Sequence, residues 1–212
     1  MSDDSNTNST TSLTSDTVLK ELQAGNERFI LGHSIHTAQN SLKKLKDFAI
    51  KGQLPKAIIL CCSDSRGPVE LIFDQDIGDL FVIRVAGNII APSLIGSVEF
   101  AASTFGTNLV VVMGHSNCGA VRATIDNIEH ENIKSENILD IVSRIKPHIQ
   151  AIAQLKNVTI EEKMDLAILA NVYASVNQLT HSSTIIEKLV IKNQLKIVGA
   201  ILDLNTGVVD FI

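Results

Sequence analysis

Three short apolar runs constrain this 212-residue chain more than anything else in it. They are Ala57-Ile58-Ile59-Leu60-Cys61, Leu80-Phe81-Val82-Ile83-Arg84-Val85 and Leu109-Val110-Val111-Val112-Met113-Gly114. Strands with one wet face alternate apolar and polar residues, whereas near-continuous runs fit strands covered on both faces, as in parallel sheets. Helical spacing fills the gaps. Asp16 to Leu31 sets Val18, Leu19, Leu22, Phe29 and Ile30 on one face of an N-terminal helical arm. Ser93 to Phe105 does the same with Leu94, Val98, Ala101 and Ala102, and helical material dominates from Ala120 to Lys192. Pro147 is expected to kink or divide the stretch Ile138 to Leu155. Thr159 with Glu162, and Thr184 with Glu187, read as capping boxes. Ile197 to Leu202, a turn at Asn205-Thr206-Gly207, and Val208 to Ile212 read as a parallel strand joined by a hairpin to an antiparallel edge strand. The expected fold class is therefore α/β, a mostly parallel sheet with an antiparallel edge strand, flanked by helices; an order of 2-1-3-4 is expected, which would set the first and third strands side by side at the switch point.

Composition narrows the function. A net charge of −5 without blocks of like charge offers no basic patch, which predicts no nucleic-acid partner and no acidic membrane surface. No apolar run approaches the roughly 20 residues of a membrane-spanning helix. Residues 1–14 are polar, without the basic start and apolar stretch of a secretory signal, and are expected to form a disordered tail before a single domain over 15–212. Three cysteines, two of them adjacent, do not make a disulfide framework, so a reducing cytoplasm is the expected location.

Chemistry concentrates in two segments, Cys62-Ser63-Asp64-Ser65-Arg66 and His115-Ser116-Asn117-Cys118. Cys62 follows the first strand and His115 the third. In the expected order those strands are neighbours, and ligands in open α/β sheets sit at such strand ends. Cys62, His115 and Cys118 supply two thiolates and an imidazole. Three protein ligands with the fourth position left to water is the pattern of catalytic zinc, whereas structural zinc closes with four. Cys61 points to the other face of its strand and is expected to be a buried apolar residue. Asp64 and Arg66, two apart on an extended segment, can pair through both carboxylate oxygens. Asp64 would then stand beside the metal, kept ionised and correctly turned by Arg66. Two thiolate ligands donate more charge than two imidazoles, so activity is expected to grow towards alkaline pH. His33, His36, His130, His148 and His181 lack ligand spacing.

These segments, with Arg84-Val85-Ala86-Gly87-Asn88 and Gly114-His115-Ser116-Asn117-Cys118-Gly119, resemble the β-class carbonic anhydrases. The resemblance runs from Leu22-Gln23-Ala24-Gly25-Asn26-Glu27-Arg28-Phe29 to the closing hairpin. It implies a zinc enzyme, one Zn2+ per subunit, that reversibly hydrates carbon dioxide to bicarbonate and a proton by a zinc-bound hydroxide. Cys62, His115 and Cys118 would bind the metal, and Asp64 with Arg66 would orient the nucleophile. Some members close the site by moving this aspartate onto zinc as a fourth ligand, a role open to Asp64. Gln53 corresponds to a substrate-contacting glutamine of the open branch. Phe81, Ala86 and Phe100 match apolar positions of the carbon dioxide pocket, with Phe100 standing where many relatives carry Tyr. The Gly119 N–H, near a helix start, is a candidate oxyanion donor. The family assembles as intertwined dimers whose pocket residues cross the interface, implying a homodimer or a dimer of dimers. Other readings are a hydrolase of carbon disulfide or carbonyl sulfide on the same scaffold, and a non-catalytic zinc scaffold. A nucleotide-binding module is disfavoured, because no Gly-rich turn follows the first strand.

Overall fold

Both core strands are buried along their whole length: β1 (Ala57–Cys61) and β3 (Leu109–His115). The computed structural model describes residues 13–36 and 41–212, so the expected tail lies outside the described residues as far as position 12. β2 (Leu80–Arg84), β4 (Lys196–Leu202) and β5 (Val209–Phe211) complete one sheet of order β2-β1-β3-β4-β5. All pairs are parallel except β4 with β5, as the sequence predicts.

Alternation along the strands sorts the core into two layers. Ile59, Cys61, Val111 and Met113 face Val18 and Leu22 of α1 (Ser15–Ile30) and Val69 and Ile72 of the short α3 (Val69–Ile72). Ile58, Leu60, Val110 and Val112 face Val98, Ala101 and Ala102 of α4 (Pro92–Phe105). Leu179 and Ile186 join that layer from α7 (Ile160–His181) and α8 (Thr184–Ile191). A third cluster, built by α5 (Gly119–His130), α6 (Glu136–Ala153) and α7, closes over the carboxyl ends of β1 and β3 and contains Cys62 and Cys118. Among the described residues no helix is long and apolar enough to cross a membrane.

Four local expectations change. Pro147 neither ends nor divides α6, which runs unbroken through it. The carbonyl it leaves without a partner belongs to exposed Ser143, where water can serve, while buried Ile145 and Ile149 hold the helix down on either side. The Thr159–Glu162 capping box forms, but α8 is capped by Ser183, whose Oγ accepts from the Ile185 and Ile186 amides; Thr184 is already helical. On α1 the buried stripe is Val18, Leu22, Gly25 and Asn26, and Phe29 and Ile30 stay largely exposed. Thr14, counted with the tail by sequence, caps α1 by accepting from the Thr17 amide. A further helix, α2 (Ser41–Lys51), is signalled only by Leu42, Leu45 and Phe48 at helical spacing.

Candidate metal centre

The three candidate ligands converge. One ligand atom from each of Cys62, His115 and Cys118 lies within 4.8 Å of the others, and no other such group of His, Cys, Asp or Glu occurs among the described residues. Cys62 follows β1, His115 ends β3, and Cys118 caps the amino end of α5. β1 and β3 pair directly, so the two strand ends bring the ligands together.

Each ligand is prepared by its surroundings. His115 Nδ1 lies 2.9 Å from the Ser116 carbonyl, which can only accept, so the ring proton sits on Nδ1 and the Nε2 lone pair is free. Nε2 is buried with no hydrogen-bond partner, an orphan that a metal ion would satisfy. Burial works against protonation of His115, but the facing Cys62 thiolate outweighs it and raises the imidazole above its usual range. Cys62 Sγ accepts from the Gly87 amide at 3.3 Å. A proton shared with Cys118 holds Cys62 well below the ordinary thiol range, and the same pairing together with burial holds Cys118 above it. Amides of Ala120 and Val121 at the start of α5 face Cys118 and favour its thiolate. The donor set is thus a mixed sulfur and nitrogen cluster of the kind that suits zinc.

Asp64 stands next to this group but outside it, with Oδ2 3.9 Å from His115 Nε2. Arg66 grips both carboxylate oxygens, Nε to Oδ1 at 2.9 Å and Nη2 to Oδ2 at 2.8 Å, and its own amide adds a bond at 3.0 Å. Those Arg66 hydrogen bonds hold the Asp64 carboxyl far below the usual carboxylate range. The arrangement is the paired one, with Asp64 on the arginine and not among the ligands. Arg84, whose role no sequence spacing reveals, donates from Nε to the Cys62 carbonyl at 3.0 Å and from Nη2 to the Asp64 carbonyl at 2.5 Å. It fixes the backbone that carries both thiolate and carboxylate.

The remaining candidates divide. Ala86 opens the 3-10 turn (Ala86–Asn88) whose Gly87 amide donates to Cys62 Sγ, and Gly119 opens α5 with free space around its Cα. Gln53 is exposed, four residues before the amino end of β1, and that strand end itself lies about 16 Å from Cys62 in the same subunit. Phe81 pairs with Ile58, four residues or about 13 Å short of Cys62, and its ring lies tilted with its centroid 6.4 Å from that of Phe100, which is 52% exposed on α4. Within one subunit none of these three reaches the metal group, because strand direction separates residues that lie close in sequence. Cys61 is buried in the α1 layer, and that burial pushes its thiol up to about 12. His36 Nδ1 lies 3.4 Å from Asp76.

The carbonic anhydrase family model matches residues 57–209, nearly three quarters of the chain. This chain belongs to the β-carbonic anhydrase family. The enzyme class expected from sequence is thereby borne out. A carbonic anhydrase of Mycolicibacterium smegmatis is 38% identical over 130 residues, 61% of this chain and 62% of that one, so the chain spans about three fifths of that relative. Carbonic anhydrase 2 of Mycobacterium tuberculosis is 35% identical over 188 residues, 89% of this chain and 88% of that one. Among solved structures, the β-carbonic anhydrase CcaA superposes with a TM-score of 0.73 at 26% identity, covering 92% of each chain. Tetrameric β-carbonic anhydrases of Sordaria macrospora share the fold at a TM-score of 0.69 and 22% identity, covering 93% of this chain and 97% of that one.

Proposed function

We propose that this β-carbonic anhydrase reversibly hydrates carbon dioxide to bicarbonate and a proton, with one zinc ion held by Cys62, His115 and Cys118. The observation that carries the reading is the Arg66-paired Asp64 carboxylate standing 3.9 Å from the orphaned His115 Nε2. Zinc, when bound, makes water acidic enough to supply a nucleophile near neutral pH. Asp64, ionised through the working pH range, can only accept hydrogen bonds. It takes the O–H of the attacking oxygen and so turns that oxygen's lone pair towards the carbon of the substrate. Arg66 keeps the carboxylate from swinging into the ligand group. Arg84 holds the Cys62–Asp64 backbone so that ligand and acceptor keep their spacing. The Gly119 amide and the half-buried Ala86 are the proposed substrate contacts from the same subunit.

Gln53, Phe81 and Phe100 fit this reading as residues offered across a dimer interface. Ile35, Leu42, Leu45, Ile50 and Leu54 form exposed apolar surface on and around α2, with Ile50 87% exposed, and Gln53 lies among them. Surface of that kind marks a contact site. The cysteines are all unpaired, which suits the reducing cytoplasm we propose as the location; recovery of the native protein in an exported fraction would contradict it.

The test combines zinc stoichiometry with a carbon dioxide hydration assay on the native protein and Asp64→Ala. The expected result is one zinc per chain in both and a rate at least about 100-fold lower in the variant, the scale of a positioned acid–base group. Native protein without zinc, or Asp64→Ala with unchanged turnover, would refute the assignment.

A further inference from the structure

We propose that Asn171 on α7 is a positioning residue for the metal centre, acting through Gly87 to aim a backbone N–H at Cys62 Sγ. The inference rests on the reading of Cys62 as a metal ligand given above. α7 passes directly beneath the carboxyl end of β3, because a side chain at Gly114, the residue before His115, would come within 2.6 Å of Val172 Cγ2. The buried face of α7 is mainly apolar (Met164, Ala167, Ile168, Val172, Leu179), and Asn171 and Ser175 interrupt it one turn apart. A carboxamide only 2% exposed is unfavourable there unless it is hydrogen-bonded. Asn171 Nδ2 donates to the Gly87 carbonyl at 2.9 Å, and Ser175 Oγ donates to the Asn88 carbonyl at 3.1 Å. One helix thus pins two consecutive carbonyls of the Ala86–Asn88 turn.

Gly87 is held from the other side as well. It sits at φ 70° and ψ 20°, and the space at its Cα is filled by Ile145 Cδ1 and Ala120 Cβ, 2.8 and 2.9 Å from where a Cβ would stand. With its carbonyl tied to α7 and its flank packed against α5 and α6, Gly87 keeps the φ and ψ at which its N–H points to Cys62 Sγ at 3.3 Å. A hydrogen bond to a thiolate lowers the energy of the sulfur lone pair and fixes the side-chain rotamer. Partners one bond removed from a metal ligand affect affinity on the scale of 10–100-fold. Asn171 touches neither substrate nor metal, and its effect must travel through that amide.

The experiment compares native protein, Asn171→Leu, Asn171→Asp and Ser175→Ala, each loaded with zinc for chelator competition and with cobalt(II) for absorption spectroscopy. Asn171→Leu is expected to weaken zinc binding about 10-fold and to move the thiolate-to-cobalt charge-transfer band to longer wavelength. Ser175→Ala, which releases the neighbouring carbonyl, is expected to lower the melting temperature while leaving the band in place. A folded Asn171→Leu with native affinity and native band overturns the proposal, as does an equal band shift in Ser175→Ala. Should Asn171→Leu fail to fold, Asn171→Asp, of the same size, is judged by the same two measurements. Failure of both to fold also overturns the proposal, since Asn171 would then serve folding alone. Native protein that takes up neither metal sinks the underlying ligand reading before any variant is compared.

Discussion

Gly87→Ala isolates the role of one backbone amide, and its magnitude can be worked out in advance. Gly87 lies in the left-handed region at φ 70°, which costs a residue with a Cβ about 1–2 kcal/mol. The added methyl meets Ile145 Cδ1 at 2.8 Å and Ala120 Cβ at 2.9 Å, both on packed helices, and forcing a methylene into such a core costs about 1–3 kcal/mol. The sum is about 2–5 kcal/mol. For a chain of this size each kcal/mol moves the melting temperature by about 2–4 °C, so a fall of about 4–20 °C is expected. Displacing the turn to relieve the clash is expected to disturb the 3.3 Å amide–sulfur contact, so zinc affinity should fall along with stability. Gly67→Ala is the matched comparison. Its nearest neighbour, Leu202 Cδ2, would lie at an ordinary 3.6 Å and its φ is unexceptional, so its melting temperature should stay within about 3 °C of native. Differential scanning calorimetry with zinc titration reads both variants. A Gly87→Ala protein that melts with the native one and binds zinc equally would contradict both the strain at Gly87 and the placement of its amide.

The remaining predictions concern protons and partners. Cys62 and Cys118 share one proton, with Cys62 driven below and Cys118 above the ordinary thiol range, so zinc must displace that proton at neutral pH, and affinity should rise about 10-fold per pH unit. Below the raised His115 value a second proton must leave, so the slope should steepen towards about 100-fold per unit; a pH-independent affinity in chelator competition would contradict this. If α2 and its flanks cover a second copy, sedimentation velocity at micromolar concentration should show a dimer or tetramer, and Ile50→Glu should shift it towards monomer. A native protein that sediments as a monomer would remove the interface and, with it, the proposed roles of Gln53, Phe81 and Phe100.

The strands and the donor groups of the candidate site are written in the local sequence. Runs such as Ala57–Cys61 and Leu109–Gly114 can satisfy their apolar side chains only between two helical layers, so their burial on both faces follows from local composition. Cys62, His115 and Cys118 were legible because each sits at a strand end or helix start, and the Asp64–Arg66 pairing follows from a spacing of two. Tertiary structure decided what approaches from a distance. Gln53 and Phe81 are near Cys62 in the chain or in the adjacent strand, yet a strand's length removes them from the metal group. Asn171 is 84 residues from Gly87 and reaches it directly. The physical reason is that a motif specifies which atoms can bond, whereas the direction of a backbone N–H depends on φ and ψ set by packing. Ile145, Ala120 and Asn171 come from three different helices to fix the Gly87 amide, and no local pattern records that meeting.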